Sequence, residues 1–273
     1  MKKIMTALLA CALLIPAGCT SQAPATPNQS PTPVPTIEVN SMSDPATAVA
    51  ETDLAAEKYL DVLEGIYYDS VLPDGQRLEP YTEYFEESPN EFAIFDIDGD
   101  GRDELIIRYI NTYTAGMFGV VYGYDSTENR LTTQLLEFPA LSFYPNGTVE
   151  AGWSHNQGLA GRFWPCTLYQ YDSTSDSYFP IAFVDAWDRE FFETDFDGNP
   201  FPNDADPNGD NIVYYIYLYG QQEEPAPVSQ QEFDAWYHEM IGFDPTLHEH
   251  STFALEIPYL PLTEENILSL VKE

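Results

Sequence analysis

Three aspartates at alternate positions, Asp96, Asp98 and Asp100, are followed by Gly101 and then by Glu104. They stand in the run Phe92-Ala93-Ile94-Phe95-Asp96-Ile97-Asp98-Gly99-Asp100-Gly101-Arg102-Asp103-Glu104-Leu105-Ile106-Ile107. A hard cation of calcium's size takes about six to eight oxygens at short range, several of them charged. Gly101 lets the chain turn sharply, so that the three aspartates converge. The backbone carbonyl of Arg102 adds a neutral oxygen, and Glu104 closes the set. Asp103 points the other way, toward solvent. Carboxylates this close repel one another strongly unless a cation lies between them. The spacing therefore predicts a Ca2+ site at Asp96, Asp98, Asp100, Arg102 and Glu104. The alternative is a solvated acidic turn. Magnesium fits less well, because it demands a rigid octahedron and keeps several of its waters.

The segment is not an EF-hand. A strand precedes it rather than a helix, and the twelfth position counted from Asp96 is Ile107, which cannot ligate. The spacing instead resembles the strand-loop-strand calcium loops of dockerin-like and FG-GAP/VCBS-type repeats, whose last acid sits at the ninth position. The wider pattern resembles a group of uncharacterised lipoproteins from gut Firmicutes. It comprises the helix before the loop, Phe-Ala-Ile-Phe-Asp-Ile-Asp-Gly-Asp-Gly, Glu-Leu-Ile-Ile, and Trp153-Ser154-His155-Asn156-Gln157-Gly158-Leu159-Ala160-Gly161. That resemblance covers most of residues 56 to 215. It implies an address and a loop, but no activity.

Other chemistry-bearing residues are sparser. Asp195, Asp197 and Asn199 precede Asp204-Ala205-Asp206-Pro207-Asn208-Gly209-Asp210. Asp204, Asp206, Asn208 and Asp210 repeat the alternate-oxygen spacing, with Gly209 at the turning position and Ile212 where a closing acid belongs. A second metal loop, with Asp195 or Asp197 folding back to close it, and a plain acidic loop are the two readings. His155 lies in a polar loop with Ser154, Asn156 and Gln157. A hydrolase could use it as a base, but no Gly-x-Ser-x-Gly elbow or reactive cysteine accompanies it, and no catalytic residue is assigned. His248 and His250 would share one face of an extended chain, a zinc half-site without a third ligand. Cys166 stands in a largely apolar run and reads as a small core residue. The chain holds 19 Tyr, 16 Phe and 4 Trp. Most must fill the core, and an exposed subset could stack on sugar rings, but the spacing does not say which.

The elements that must position these residues follow from periodicity. Ala56, Tyr59, Leu60, Leu63, Ile66 and Tyr67 recur at helical spacing, predicting a helix from Thr52 to about Tyr68. Short alternating or apolar runs predict strands at 91–97, 104–109, 117–124, 131–137, 140–144, 148–153, 167–171, 179–185 and 212–219. Pro145-Asn146-Gly147 marks a hairpin turn. Ser229-Gln230-Gln231-Glu232 is a capping box that opens a helix with Phe233, Trp236, Tyr237, Met240 and Ile241 on one face. A last helix starts near Thr263 and should bury Ile267, Leu268 and Val271. Strands in hairpin succession, with helices at the ends, predict an α+β domain on a largely antiparallel sheet with an N-terminal helix and C-terminal helices.

Residues 1–18 read as an export signal. Lys2 and Lys3 give the positive start, an apolar run extends from Ile4 to Ile15, and Pro16-Ala17-Gly18-Cys19 follows. The run is too short to span a bilayer. Small residues before Cys19 resemble a lipobox, which implies lipidation of Cys19 and an anchor on the extracytoplasmic face of the cell membrane. Pro16 stands where that pattern carries leucine, so plain secretion is the alternative. Residues 19–50 are rich in Pro, Thr and Ser and read as a disordered tether. Residues 51–273 suffice for one core.

The 10 basic and 45 acidic residues give a net charge of −35. Such a surface repels phosphate backbones, so nucleic acid is excluded as a partner. An anionic membrane is repelled too, which leaves the lipid as the only anchor. The expected function is a surface-anchored calcium-binding module for a glycan or protein partner, with a cell-envelope hydrolase using His155 and nearby acids as the alternative.

Overall fold

The alternation in the sequence builds two antiparallel sheets. The computed structural model describes residues 45–79, 90–161, 163–195, 197–221, 225–247 and 253–271. In the first sheet, β1 (Glu91–Phe95), β2 (Glu104–Tyr109), β3 (Phe118–Asp125) and β4 (Arg130–Glu137) form a meander. The short β10 (Leu260–Pro261) lies along the outer edge of β1. The second sheet is another meander, of β5 (Leu141–Phe143), β6 (Thr148–Gly152), β7 (Cys166–Asp172), β8 (Ser177–Asp188) and β9 (Ile212–Leu218). With α1 (Pro45–Glu64), α2 (Gln230–Ile241) and α3 (Glu264–Ser269), the chain is an α+β domain, as its pattern predicts.

Side chains on a strand alternate between faces, so each sheet carries two cores. Phe92, Leu105, Ile107, Val120 and Tyr122 pack under Tyr59, Val62, Leu63 and Ile66 of α1 and its extension, and under Ile267 of α3. The intervening Ala93, Ile106, Val121 and Leu135 face the second sheet, where they meet Phe143, Val149 and Tyr178. The far side of that sheet, with Cys166, Leu168, Val184 and Ala186, packs on Phe233 and its neighbours from α2. The order is helix, sheet, sheet, helix, and the sheet-on-sheet layer brings together side chains far apart in sequence.

The helix ends have local causes. The Ser229 side chain accepts from the Glu232 amide while Glu232 reaches back to the Ser229 amide, and Gly242 ends α2 at φ 72°. At the hairpin signal Pro145-Asn146-Gly147, the Gly147 amide donates to the Tyr144 carbonyl at 3.0 Å, with Gly147 at φ 79°. Cys166 is buried in the core, and burial pushes its thiol well above the ordinary range.

Several expectations are corrected. The first helix begins at Pro45 instead of Thr52, so the last part of the expected tether is helical. Proline suits a first helical turn, and the alanines after it favour helix. It ends in a π turn, Gly65–Asp69, that leaves Tyr67 40 % exposed. In α3 only Ile267 is buried, with Leu268 and Val271 at 43 % and 62 % exposure, because the helix is too short to turn a second apolar row inward. The two-residue β10 is too short to leave a periodic signal. The export signal, Cys19, His248 and His250 lie outside the described residues. Among those described, no helix is long and apolar enough to cross a membrane.

Candidate metal centre

β1 and β2 pair with Phe95 opposite Glu104, so residues 96–103 form the loop between them. The loop is wound around its first aspartate. Asp96 Oδ1 accepts the Gly99 amide at 2.8 Å and Oδ2 the Gly101 amide at 3.0 Å. Asp98 Oδ1 accepts from the Asp100 amide at 3.0 Å, and Asp100 Oδ1 from the Arg102 amide at 2.8 Å. Two left-handed residues allow this winding, Gly99 at φ 78° and Gly101 at φ 88°, where a side chain would be strained.

The winding gathers acids. Ligand oxygens of Asp96, Asp98 and Glu104 all lie within 4.8 Å of one another. Glu104 is only 3 % exposed, and its Oε2 accepts the Ile97 amide at 3.1 Å. Burial pushes its carboxyl up to about 9, the charges of Asp98, Asp100 and Asp96 add to this, and the Ile97 amide opposes it. Burial also raises Asp98, whose Oδ2 is enclosed without a hydrogen-bond partner among the described residues. Asp103 is exposed, as expected, while its carbonyl accepts the Tyr59 hydroxyl at 2.7 Å and so ties the loop to α1.

One acid in this cluster escapes any reading of the loop alone. Asp176, in the β7–β8 turn of the second sheet, brings a carboxylate oxygen within 4.8 Å of those of Asp98 and Asp100. It is held at φ 51°, a conformation that aspartate tolerates better than most residues. Its Oδ1 accepts the Gln134 amide nitrogen at 2.7 Å and the Tyr171 hydroxyl at 2.8 Å. Arg102 ion-pairs with Asp100 and reaches Asp176 at 4.0 Å. A cavity of about 390 Å³ opens beside the loop, with Ala55 and Tyr59 of α1 on one wall and Glu104, Asp100 and Asp176 on another.

The second acidic stretch has the same winding but a different register. Asp206 accepts the amides of Gly209, Asp210 and Asn211 at 2.8, 3.1 and 3.0 Å, and Asp210 accepts that of Ile212 at 2.9 Å. Gly209 at φ 72° and Asn211 at φ 69° stand where Gly99 and Gly101 stand in the first loop. The loop therefore starts at Asp206, which leaves Asp204 outside it and puts Tyr214 at the closing position. Asn208 donates to Asp210 at 2.9 Å. Asp195 uses its carboxylate on the amides of Asp197 and Asn199, at 3.0 and 2.9 Å, within its own turn. Among the described residues, three acids converge only at the first loop.

His155 is exposed. Its Nδ1 meets Ser154 Oγ at 3.2 Å and its Nε2 meets Gln157 Nε2 at 3.3 Å. Asp185 is the acid that feels its charge, and no hydrogen bond joins the two among the described residues.

The chain matches no family model, no curated protein and no solved structure at a significant level.

Proposed function

We propose that this chain is a calcium-binding module, held by a lipid on Cys19 at the extracytoplasmic face of the cell membrane, that binds a glycan or protein partner. The observation that carries the metal is the convergence of Asp96, Asp98 and Glu104 around an enclosed, unpartnered Asp98 Oδ2. Buried carboxylates are paired, protonated or on a metal. Asp96, Asp98 and Glu104 have one another as neighbours, and like charges cannot pair. Calcium suits this set better than zinc or magnesium: every ligand is oxygen, and Asp176 can add a further one.

The anchor rests on the Ala17-Gly18-Cys19 junction after an apolar run. A domain this acidic has no electrostatic route onto an anionic membrane.

The test is direct. The purified protein is stripped with chelator and titrated with calcium and with magnesium, by calorimetry and thermal melting. A ligand bound only by the folded state stabilises it by about 2.7 kcal/mol at a hundredfold excess over its dissociation constant. Calcium should raise the melting temperature clearly, magnesium should raise it less, and Asp98→Ala or Asp100→Ala should abolish the response. No binding heat and no thermal shift with calcium would reduce the loop to an acidic turn.

A further inference from the structure

The acids at the loop fall into two sets of three that share only Asp98. Asp96, Asp98 and Glu104 make the first, and Asp98, Asp100 and Asp176 make the second. Arg102 lies over the second set, ion-paired with Asp100 and 4.0 Å from Asp176 Oδ2. Among the described residues, this one guanidinium is the only cation paired with the five carboxylates. With all five ionised and one divalent ion in the loop, two negative charges are still uncompensated.

The second set borders enclosed oxygens that lack partners. Val121 pairs with Leu135 and Tyr122 with Thr133, which leaves Gln134 as the extra residue of a β-bulge. A bulge re-aims the side chain it carries. Here Gln134 and Leu135 both turn toward the second sheet, Leu135 into its apolar contacts and Gln134 onto Asp176. Gly123 makes room for the amide, since an added Cβ there would run into Gln134 Nε2. Gln134 is 4 % exposed, and its Nε2 donates to Asp176 Oδ1 at 2.7 Å. The Oε1 of the same amide is enclosed, with no partner among the described residues. Tyr178, 6 % exposed between the sheets, has an enclosed and unpartnered hydroxyl as well. Burial first, and then the charges of Asp98, Glu104, Asp176 and Asp96, hold its proton on, so members of both sets act on it. Asp98 Oδ2 is a third such atom. Gln134 and Tyr171 take Asp176 Oδ1, which leaves Oδ2 with Arg102 alone among the described residues.

Enclosed oxygens of this kind call for a proton donor or a cation. Water would satisfy Gln134 and Tyr178 but bring no charge. A divalent cation brings both the contacts and the two missing charges. We propose that Asp98, Asp100 and Asp176 hold a second divalent cation of calcium's kind, beside the loop's own, with Gln134 turned toward it from between the sheets. The proposal rests on the loop's own ion and goes one ion further. Both ions share Asp98, and their like charges make the second bind more weakly. Arg102 holds the place in its absence. The Arg102 side chain is 54 % exposed, so it swings clear without disturbing the core.

Calcium alone is the probe. The whole protein is stripped with chelator and titrated by calorimetry, and native mass spectrometry counts the ions it holds. Two ions should bind, in two steps. Asp176→Asn should weaken the second step roughly tenfold or more and spare the first, and Gln134→Leu should weaken the second as well. Arg102→Gln should strengthen the second step by a similar factor, because it removes the competing cation. A merely structural role for Arg102 would not move affinity in that direction. A single ion on the natural sequence overturns the proposal and leaves the loop's ion standing, whereas no ion at all overturns both. A second step unmoved by Asp176→Asn puts that ion elsewhere on the acidic surface and overturns the proposal. A second step that Arg102→Gln leaves level or weakens overturns it too. If Gln134→Leu fails to fold, Arg102→Gln, at an exposed position, still decides.

Discussion

Asp98 and Asp176 bring their carboxylate oxygens within 4.8 Å of each other, although one belongs to the β1–β2 loop of the first sheet and the other to the β7–β8 turn of the second. Tyr171 fixes the Asp176 side, donating to its Oδ1 at 2.8 Å. An ion held here would touch both sheets. Its binding would couple the loop's order to the packing of one sheet on the other, beyond the register of β1 and β2 alone.

Asp176→Asn tests that coupling. It keeps the shape of the side chain and removes one charge from the ion's side. Calcium affinity should fall roughly tenfold, the scale on which outer partners of a metal site act. Asp103→Asn, an equal charge change on an exposed neighbour, should leave affinity nearly unchanged. Calorimetry on the two variants side by side reads the difference. Equal affinities would mean that the ion sits on the loop alone.

The loop was legible in the sequence because its determinants are local. Asp96, Asp98 and Asp100 alternate, Gly101 permits the turn, and Glu104 begins a strand whose bounds, Glu104–Tyr109, match the expected ones. Asp176 was not legible, since it reaches the loop only through the stacking of two sheets, which no residue spacing encodes. The register of the second loop was missed because Asn211, not Gly209, takes the position of Gly101. Asparagine tolerates that conformation without marking it as glycine does. The stacking of Phe183 on Tyr217 was visible only as a high aromatic count, because cross-strand pairing between β8 and β9 selects which rings meet.

His155→Ala should leave the fold intact. The side chain is exposed and its ring contacts are to Ser154 and Gln157, close neighbours in its own loop. An exposed substitution of this kind changes stability by about 0.5 kcal/mol or less, and thermal melting checks it. Loss of a defined hydrolytic activity in a variant with an unchanged melting curve would favour the enzyme over the binding module.

Cys19→Ala should release the protein from membranes. The replacement removes the thiol that takes the lipid and leaves the apolar run before it intact. Fractionation of cells and medium reads the result, with the variant expected in the medium. Retention of the variant in the membrane fraction would show that the anchor is not a lipid on this residue.

The metal-free protein should lose stability as pH rises, opposite to the trend of most paired carboxylates. Without an ion, burial first and then Asp98, Asp100 and Asp96 raise the Glu104 carboxyl from 4.5 to about 9. In the unfolded chain that carboxyl gives up its proton near 4.5, while the folded chain keeps it. Between those two values the native state binds more protons than the unfolded state, so stability falls with increasing pH. Its contribution is fully present below about 4.5 and declines from there toward 9. Asp185, raised to about 6, adds a slope of the same sign over a shorter range. Glu104→Gln isolates the larger effect, because the amide mimics the protonated acid and cannot titrate. Urea midpoints in chelator, at pH values from about 5 to 8.5, should decline for the natural sequence and flatten for Glu104→Gln. Calcium must displace the same proton, so its apparent affinity should climb across that range. A midpoint that holds level or climbs with pH in the chelated natural protein would show that Glu104 is ionised there without an ion.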